Sequence, residues 1–269
     1  RYTKAALEKI RDRSGSYWFG ALYQQRPSSS GDGIFQRKDF RYWTQATTGD
    51  GSVLYQLHTP DGGTILHAKE DCLHFQTIDL AVTAKTSSDF SVVSTWAATP
   101  NRELLLVGRE RHRLEAADQS SKLKAWWDAW KLTTKMRFLG VEKTAYHLEV
   151  VQTLRRQAVP VKELTPDKDK VARAIPAGAL CEAGRAYFPK RAEWLEEWEH
   201  ELLQFPNGKY DDQTDTFSYA VSELHRLPVR RRKKEDPGGR KMEDRLAARL
   251  DKMLNKRKKR PHHPELGRL

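Results

Sequence analysis

The pattern of hydrophobic and polar positions changes its period near residue 113. Before that point, three segments rich in β-branched and aromatic residues are separated by short polar turns, which predicts three strands. These strands cover residues 73–83, 90–99 and 103–112. Because connections this short join antiparallel neighbours, we expect an antiparallel meander.

Beyond residue 113, helical periodicity dominates and alternates with short apolar runs. The predicted helices are residues 114–133, 143–158, 167–184, 192–206 and 211–227. Pro176 is expected to break the third of these helices. Strands are predicted at residues 138–142 and 159–165, with a short strand or extended segment at 185–189. This order is typical of an α/β fold, in which a mixed sheet is flanked by helices.

The residues before and after this body have a different character. Residues 3–13 predict a short amphipathic helix, and the Pro-, Ser- and Gly-rich residues 27–33 predict a loop. Residues 34–70 hold short mixed runs between Gly–Asp turns, which predicts a hairpin-like insertion or a connector. The chain is therefore divided into a leading segment, a body and a tail, at residues 1–70, 71–227 and 228–269.

The net charge of +12 lies mainly in the tail. Residues 228–269 hold 16 of the 48 Lys and Arg residues but only 6 of the 36 Asp and Glu residues, so the rest is nearly neutral. A basic segment of this kind is typical of contact with nucleic acid or another polyanion, and a solvated terminus fits equally well. The candidate DNA-binding residues are Arg230, Arg231, Arg232, Lys233, Lys234, Lys256, Arg257, Lys258, Lys259 and Arg260.

Composition and motifs exclude several classes of protein. The 8 Trp, 9 Tyr and 9 Phe residues argue against a wholly disordered chain. No apolar stretch approaches the roughly 18 residues of a membrane span, so we expect no membrane contact. The sequence also holds no GxxxxGK[ST] phosphate loop, so this chain is not expected to hydrolyse ATP.

Carboxylates stand at positions that a sheet can bring together. Asp79 lies within the first body strand, Glu142 ends the fourth, and Asp211 and Asp212 open the last helix, with Asp215 one turn later. Each alone is most often a helix cap or a paired charge. In a sheet of order 3-2-1-4-5, however, strands one and four are neighbours and the acids meet at one end. Converging carboxylates need cations, and two Mg²⁺ or Mn²⁺ ions about 4 Å apart would support phosphodiester hydrolysis.

Four segments together resemble the nuclease part of the large terminase subunit of tailed bacteriophages, the DNA-packaging motor. They are YQQRP with GIF in residues 23–35, IDLA with KTSSDFSV in residues 78–92, GVE in residues 140–142, and FPNGKYDDQTDTFSYA in residues 205–220. Their order and spacing agree with the family, and the resemblance covers about residues 17–224.

The resemblance implies a ribonuclease-H-like sheet of order 3-2-1-4-5 and largely sequence-independent, two-metal cleavage of double-stranded DNA. It places two Mg²⁺ or Mn²⁺ ions on Asp79, Glu142 and the Asp211–Asp212 pair. Asp215 is a secondary candidate. The sequence departs from the family where Tyr210 replaces the common His and Thr216 the usual Ala.

Two further candidates lie in the turn after the first body strand. Asp89 is a secondary metal ligand by the same resemblance, although the loop that separates it from Asp79 is long. Lys85 either steadies a phosphate or the charge of the site, or is a solvated turn lysine.

The resemblance also implies partners. These are double-stranded DNA, the viral portal protein, the small terminase subunit and an ATPase domain earlier in the same protein, in the host cytoplasm at the procapsid. The absence of an initial Met and of the phosphate loop leads us to expect the C-terminal part of a longer protein. The helical periodicity of residues 241–260 fits binding to DNA, the portal or another packaging partner.

Two alternatives remain open. One is another ribonuclease-H-like nuclease of the transposase or resolvase type, which would need defined ends or junctions, and residues 23–35 argue against it. The other is a non-enzymatic DNA-binding or assembly module whose acids are only helix caps and bind no divalent ion.

Overall fold

A computed structural model describes residues 3, 4, 6–10, 33–81, 90–166 and 168–228. The strands are β1 (Arg41–Thr47), β2 (Val53–His58), β3 (Thr64–Ala68), β4 (Leu73–Asp79), β5 (Ser91–Ala98), β6 (Leu104–His112), β7 (Met136–Glu142), β8 (Val161–Leu164) and β9 (Ala186–Pro189). The helices are α1 (Ala116–Thr133), α2 (Leu148–Arg156), α3 (Lys170–Glu182), α4 (Leu195–Gln204) and α5 (Asp212–Arg226). None of the helices in these ranges has both the length and the hydrophobicity that crossing a bilayer would require.

All nine strands form one mixed sheet in the order β3-β2-β1-β9-β6-β5-β4-β7-β8. Strands β4, β5 and β6 form an antiparallel meander, and β7 and β8 continue from β4 in parallel. Five neighbouring strands, β6-β5-β4-β7-β8, therefore have the predicted order 3-2-1-4-5. The predicted α/β class, with a mixed sheet flanked by helices, is confirmed.

The hairpin-like segment before the body extends the same sheet. Strands β1, β2 and β3 pair antiparallel with one another. Strand β1 then pairs in parallel with β9, with Arg41 opposite Tyr187, and β9 pairs in parallel with β6. The four-residue β9 thus connects the leading strands to the body, while the division of the chain at residue 70 stays a prediction.

The sheet has a hydrophobic core on each face. One core contains Phe75, Trp96 and Phe217 and is covered by α3, α4 and α5. The other contains Ile78 and Val141 and is covered by α1 and α2. The two faces matter for function because side chains alternate along each strand, so a residue's position in β4 or β7 decides which helices it meets.

The structure corrects two details of the predicted elements. The first body strand ends at Asp79 instead of continuing to residue 83, so Asp79 stands at a strand end and not in its middle. Helix α3 runs unbroken through Pro176. The face of this helix that carries Ala174, Ala177, Leu180 and Cys181 is buried in the core, and this packing works against the roughly 3 kcal/mol that an internal proline costs.

Candidate active site

Two acids stand side by side at the carboxyl ends of neighbouring strands. In the parallel pair β4–β7, Ile78 lies opposite Val141, so the next residues, Asp79 and Glu142, are also adjacent. Ile78 and Val141 point into the core under α1 and α2. Because side chains alternate, Asp79 and Glu142 point to the opposite face, which α5 covers.

The start of α5 lies over the end of β4. The hydroxyl of Thr77 donates a hydrogen bond to the backbone oxygen of Thr216 at 2.8 Å. Helical spacing places Asp212 on the same side of α5 as Thr216, four residues later, and Asp215 beside Asp212, three residues later. The first turn of α5 therefore brings two more carboxylates toward Asp79.

The acids perturb one another. Burial and the facing charges of Asp215 and Asp212 raise the pKa of Asp79 well above its ordinary value. Burial and the neighbouring Glu201 raise the pKa of Asp212 to about 7. Oδ2 of Asp212 is buried and finds no hydrogen-bond partner among the described residues. A buried acid oxygen without a donor, facing other acids, is a position that a cation would stabilise.

Two cations of α3, Lys170 and Arg173, form ion pairs with Asp211 and Asp215. Nζ of Lys170 lies 2.8 Å from Oδ1 of Asp211 and 3.0 Å from Oδ2 of Asp215. Arg173 donates to the other oxygen of Asp215 at 2.8 Å. The Asp215 side chain is only 4% exposed, so its charge is compensated by these two partners. Asp215 therefore links α5 to α3 through two ion pairs.

Asp211 and Asp212 are consecutive in sequence, but helix α5 begins between them, so their side chains point in different directions. Asp211 occupies the N-cap position, its side chain makes no capping hydrogen bond in the described structure, and it turns to Lys170. Asp212 is the first helical residue and faces the sheet, with a side chain 19% exposed against 37% for Asp211. Of the pair, it is Asp212 whose charge acts on Asp79.

Glu142 and the cap of α5 involve residues that the sequence did not indicate. Tyr219 donates to Oε2 of Glu142 at 2.9 Å, and the Arg173 guanidinium lies 5.1 Å from the Tyr219 ring centre. Glu201 of α4 accepts the backbone N–H groups that open α5, and Arg111 of β6 lies beside it. In the sequence, Tyr219 lies within the motif at residues 205–220, and Lys170 and Arg173 stand one turn apart on a predicted helix, but neither feature identifies these contacts.

The donor set suits a hard divalent ion, since Asp79, Glu142 and Asp212 offer only carboxylate oxygens. The unpartnered oxygen of Asp212 fits the same conclusion. As the side chains are arranged, no three His, Cys, Asp or Glu residues in the described ranges are grouped closely enough to hold an ion. The three acids thus lie on the same face of the sheet and offer the oxygen ligands that a divalent ion prefers. Binding an ion would require their side chains to move closer together.

Several predicted residues lie outside the described residues. Asp89 and Lys85 fall within residues 82–89, and most of the YQQRP connector falls within residues 11–32. The same holds for the ten basic tail residues Arg230, Arg231, Arg232, Lys233, Lys234, Lys256, Arg257, Lys258, Lys259 and Arg260. Their predicted roles stay predictions.

Comparison with known proteins gives one family and one fold. The family model described as Terminase RNaseH-like domain matches residues 76–224. The large terminase nuclease from thermophilic phage G20c with bound magnesium has a TM-score of 0.50 at 15% identity, covering 72% of this chain and 99% of that one. The large terminase from a second thermophilic bacteriophage has a TM-score of 0.51 at 11% identity, covering 83% of this chain and 52% of that one. No curated protein matches the sequence.

Proposed function

The chain belongs to the terminase RNaseH-like domain family, as its four motifs predicted, and from this membership we propose that it is a divalent-metal-dependent endonuclease. Its substrate is concatemeric double-stranded viral DNA, which it cuts during genome packaging with little regard to sequence. The observation that carries the proposal is the convergence of Asp79, Glu142 and Asp212 on one face of the sheet, with a buried oxygen of Asp212 left without a donor.

Asp79, Glu142 and Asp212 would hold two Mg²⁺ or Mn²⁺ ions. Divalent ions held by these residues would supply the positive charge that activates water and neutralises the leaving oxygen of a phosphodiester. The remaining contacts orient these ligands. Tyr219 fixes one oxygen of Glu142 by a hydrogen bond, which leaves the other free for an ion. Asp215 acts in support, through Lys170 and Arg173.

Lys170 is the group best placed to meet the DNA backbone. Its side chain is half exposed while its ammonium stays beside Asp211 and Asp215. Burial disfavours its charge, but the two bound acids outweigh burial and raise its pKa, so it remains charged at neutral pH. A fixed cation at the edge of an acidic site would draw a phosphate toward ligands that otherwise repel it.

The remaining parts of the proposal concern partners. The basic tail, residues 228–269, would contribute DNA affinity or contact another packaging component. An ATPase domain in the same protein, the portal protein and the small terminase subunit are the proposed partners, at the procapsid in the host cytoplasm. Asp89 and Lys85 remain candidates for a role beside the site.

Plasmid cleavage by Asp79→Asn tests the proposal. We expect the wild-type protein to nick and linearise plasmid DNA with Mn²⁺ and to be inactive with EDTA, and Asp79→Asn to be inactive in both. The matched control is Glu163→Gln, because Glu163 is an acid of β8 in the same sheet and pairs with Arg155 of α2. It should cleave like the wild type.

The same assay separates the alternatives. Cleavage only at defined ends or junctions would favour a transposase or resolvase type of nuclease. If wild-type protein binds DNA but neither binds Mn²⁺ nor cleaves, the acids are structural and the chain is an assembly module.

A further inference from the structure

We propose that Glu201 is a positioning residue for Asp212, because it caps the helix that Asp212 begins. This inference rests on the proposed function, since it assigns Glu201 a role in presenting a metal ligand. Its basis is a set of hydrogen bonds between α4 and the first turn of α5.

Helix α5 does not cap its own N-terminus. Asp211 stands at the N-cap position, but in the described structure its side chain makes no capping bond and pairs with Lys170 instead. The first N–H groups of a helix have no partner within the helix, so a buried start needs an acceptor from elsewhere. The residues that follow Asp212 are fully buried, which makes that need acute.

Glu201 supplies the acceptor. Its Oε1 accepts the backbone N–H of Gln213 at 2.6 Å and that of Thr214 at 3.1 Å. Its Oε2 accepts the side-chain amide of Gln213 at 2.7 Å. A carboxylate at this place also interacts favourably with the positive end of the helix dipole. One buried side chain of α4 thereby fixes the turn that carries Asp212.

Arg111 connects the cap to the ligand. Its side chain is 5% exposed, and Nη2 lies 3.6 Å from Oε2 of Glu201 and 3.9 Å from Oδ2 of Asp212. The guanidinium lies 4.1 Å from the ring centre of Phe90 and also binds Glu197. A buried cation that faces both carboxylates attracts them both and reduces their mutual repulsion. At 3.9 Å it makes no hydrogen bond to Asp212, whose carboxylate stays available to an ion.

The same helix offers a matched control in Glu199. It is as buried as Glu201, at 4% against 5% exposure, and is equally well bonded. Its carboxylate accepts from Tyr42 at 2.6 Å and from Arg37 at 2.7 Å, both in the segment before the body. Removing either charge should cost stability, but only Glu201 touches the turn that carries Asp212.

The experiment compares Glu201→Gln with Glu199→Gln by isothermal titration calorimetry with Mn²⁺ and by thermal unfolding in EDTA. Glutamine keeps the size and one acceptor, but its amide would face the donors of Gln213 and Arg111. We expect both variants to unfold at a lower temperature. Glu201→Gln should bind Mn²⁺ about tenfold more weakly, as is typical when a partner of a metal ligand is lost, while Glu199→Gln should bind like the wild type.

Equal Mn²⁺ affinity of Glu201→Gln and the wild type would overturn the positioning role, as would an equal loss in both variants. If Glu201→Gln does not fold, Glu201→Asp replaces it, since it keeps the charge but is one methylene too short for all three bonds. Weaker Mn²⁺ binding by that variant supports the proposal, and unchanged binding overturns it. A wild-type protein that binds no Mn²⁺ would instead refute the proposed function itself.

Discussion

Each end of α5 contains an acid with a buried carboxylate oxygen, and the two acids differ in the partners that surround them. At the C-terminal end, Glu223 is fully buried, and its oxygens are bound by Lys162 and, at 2.9 Å, by Arg226. At the N-terminal end, Asp212 is partly buried, one oxygen lacks a donor among the described residues, and other acids face it.

The difference distinguishes a structural acid from a candidate ligand on the same helix. The helix C-terminus is completed by Arg102, which donates to the backbone oxygens of Leu224 and Leu227 at 2.7 and 3.0 Å. Glu223 thus has its partners within the protein. At the N-terminus, Asp215 and Asp211 have cations within 3.0 Å, whereas the nearest cation to Asp212 in the described structure is Arg111 at 3.9 Å. An incompletely compensated acid facing Asp79 has the character of a functional residue, and the proposed function places a metal ion beside it.

The largest expected effect is the loss of cleavage in Asp212→Asn. The substitution keeps the shape of the side chain but removes the charge that would bind an ion, so Mn²⁺-dependent plasmid cleavage should fall to background. Asp211→Asn is the matched neighbour and should retain more activity, because Asp211 faces Lys170. Cleavage kinetics and Mn²⁺ titration of both variants decide the matter. The reverse ranking would assign the ligand to Asp211, and two fully active variants would remove α5 from the site.

The next effect concerns stability at the other end of the helix. Glu223→Gln should lower the free energy of unfolding by about 2 kcal/mol, because it leaves a fully buried site with weaker partners while Lys162 and Arg226 reach solvent. For a protein of this size that corresponds to a melting temperature lower by roughly 4–8 °C. Differential scanning calorimetry in EDTA measures it, with Asp212→Asn expected to melt at or above the wild-type temperature. A lower melting temperature for Asp212→Asn than for Glu223→Gln would contradict the comparison.

A smaller effect is a pH dependence of the metal-free protein. Asp212 binds its proton more tightly in the folded state, with a pKa of about 7, than in the unfolded chain, where it is 3.8. Its contribution to stability is therefore complete below pH 3.8 and is lost as the pH rises through about 7. Melting temperatures in EDTA across this range should fall less in Asp212→Asn than in the wild type. Parallel curves would show that the pKa of Asp212 is the same in the folded and unfolded states.

The smallest effect on chemistry is expected from the segment that follows α5. Removing residues 228–269 takes away most of the net charge, so DNA binding should weaken and its salt dependence should flatten. Cleavage at low salt should survive, because the candidate ligands all lie before residue 228. Fluorescence anisotropy of labelled duplex DNA across a salt series provides the measurement. An unchanged salt slope would assign the tail to a protein partner.

The sequence predicted those parts of the site that depend on local pattern. Asp79 and Glu142 follow apolar strand residues, and the strand order brings them together, so their adjacency was predictable. Glu201 and Arg111 were not, because their partners are distant in the chain and neither residue departs from an ordinary helix or strand pattern. The capping role expected near Asp211 belongs to a residue of another helix.

The fold shows the same limit. The meander and the parallel strands came from clear periodicity, whereas β9 has only four residues and no alternation to identify its neighbours. Its pairing with β1 on one side and β6 on the other follows from the tertiary arrangement. Long-range pairing of so short a strand leaves little trace in a single sequence.

The position of β9 has a consequence for the order in which the protein can be assembled on the ribosome. Of the nine strands described, β9 is the last to be synthesised, yet it lies between β1 and β6 in the middle of the sheet. At about 5–20 residues per second, roughly seven to thirty seconds separate the emergence of Thr47 from that of Ala186. The edge of β1 that pairs with β9 waits through this whole interval, and that of β6 waits from the emergence of His112 onward. The nine-stranded sheet can therefore become continuous only after β9 is made, because β9 is the strand that joins β1 to β6.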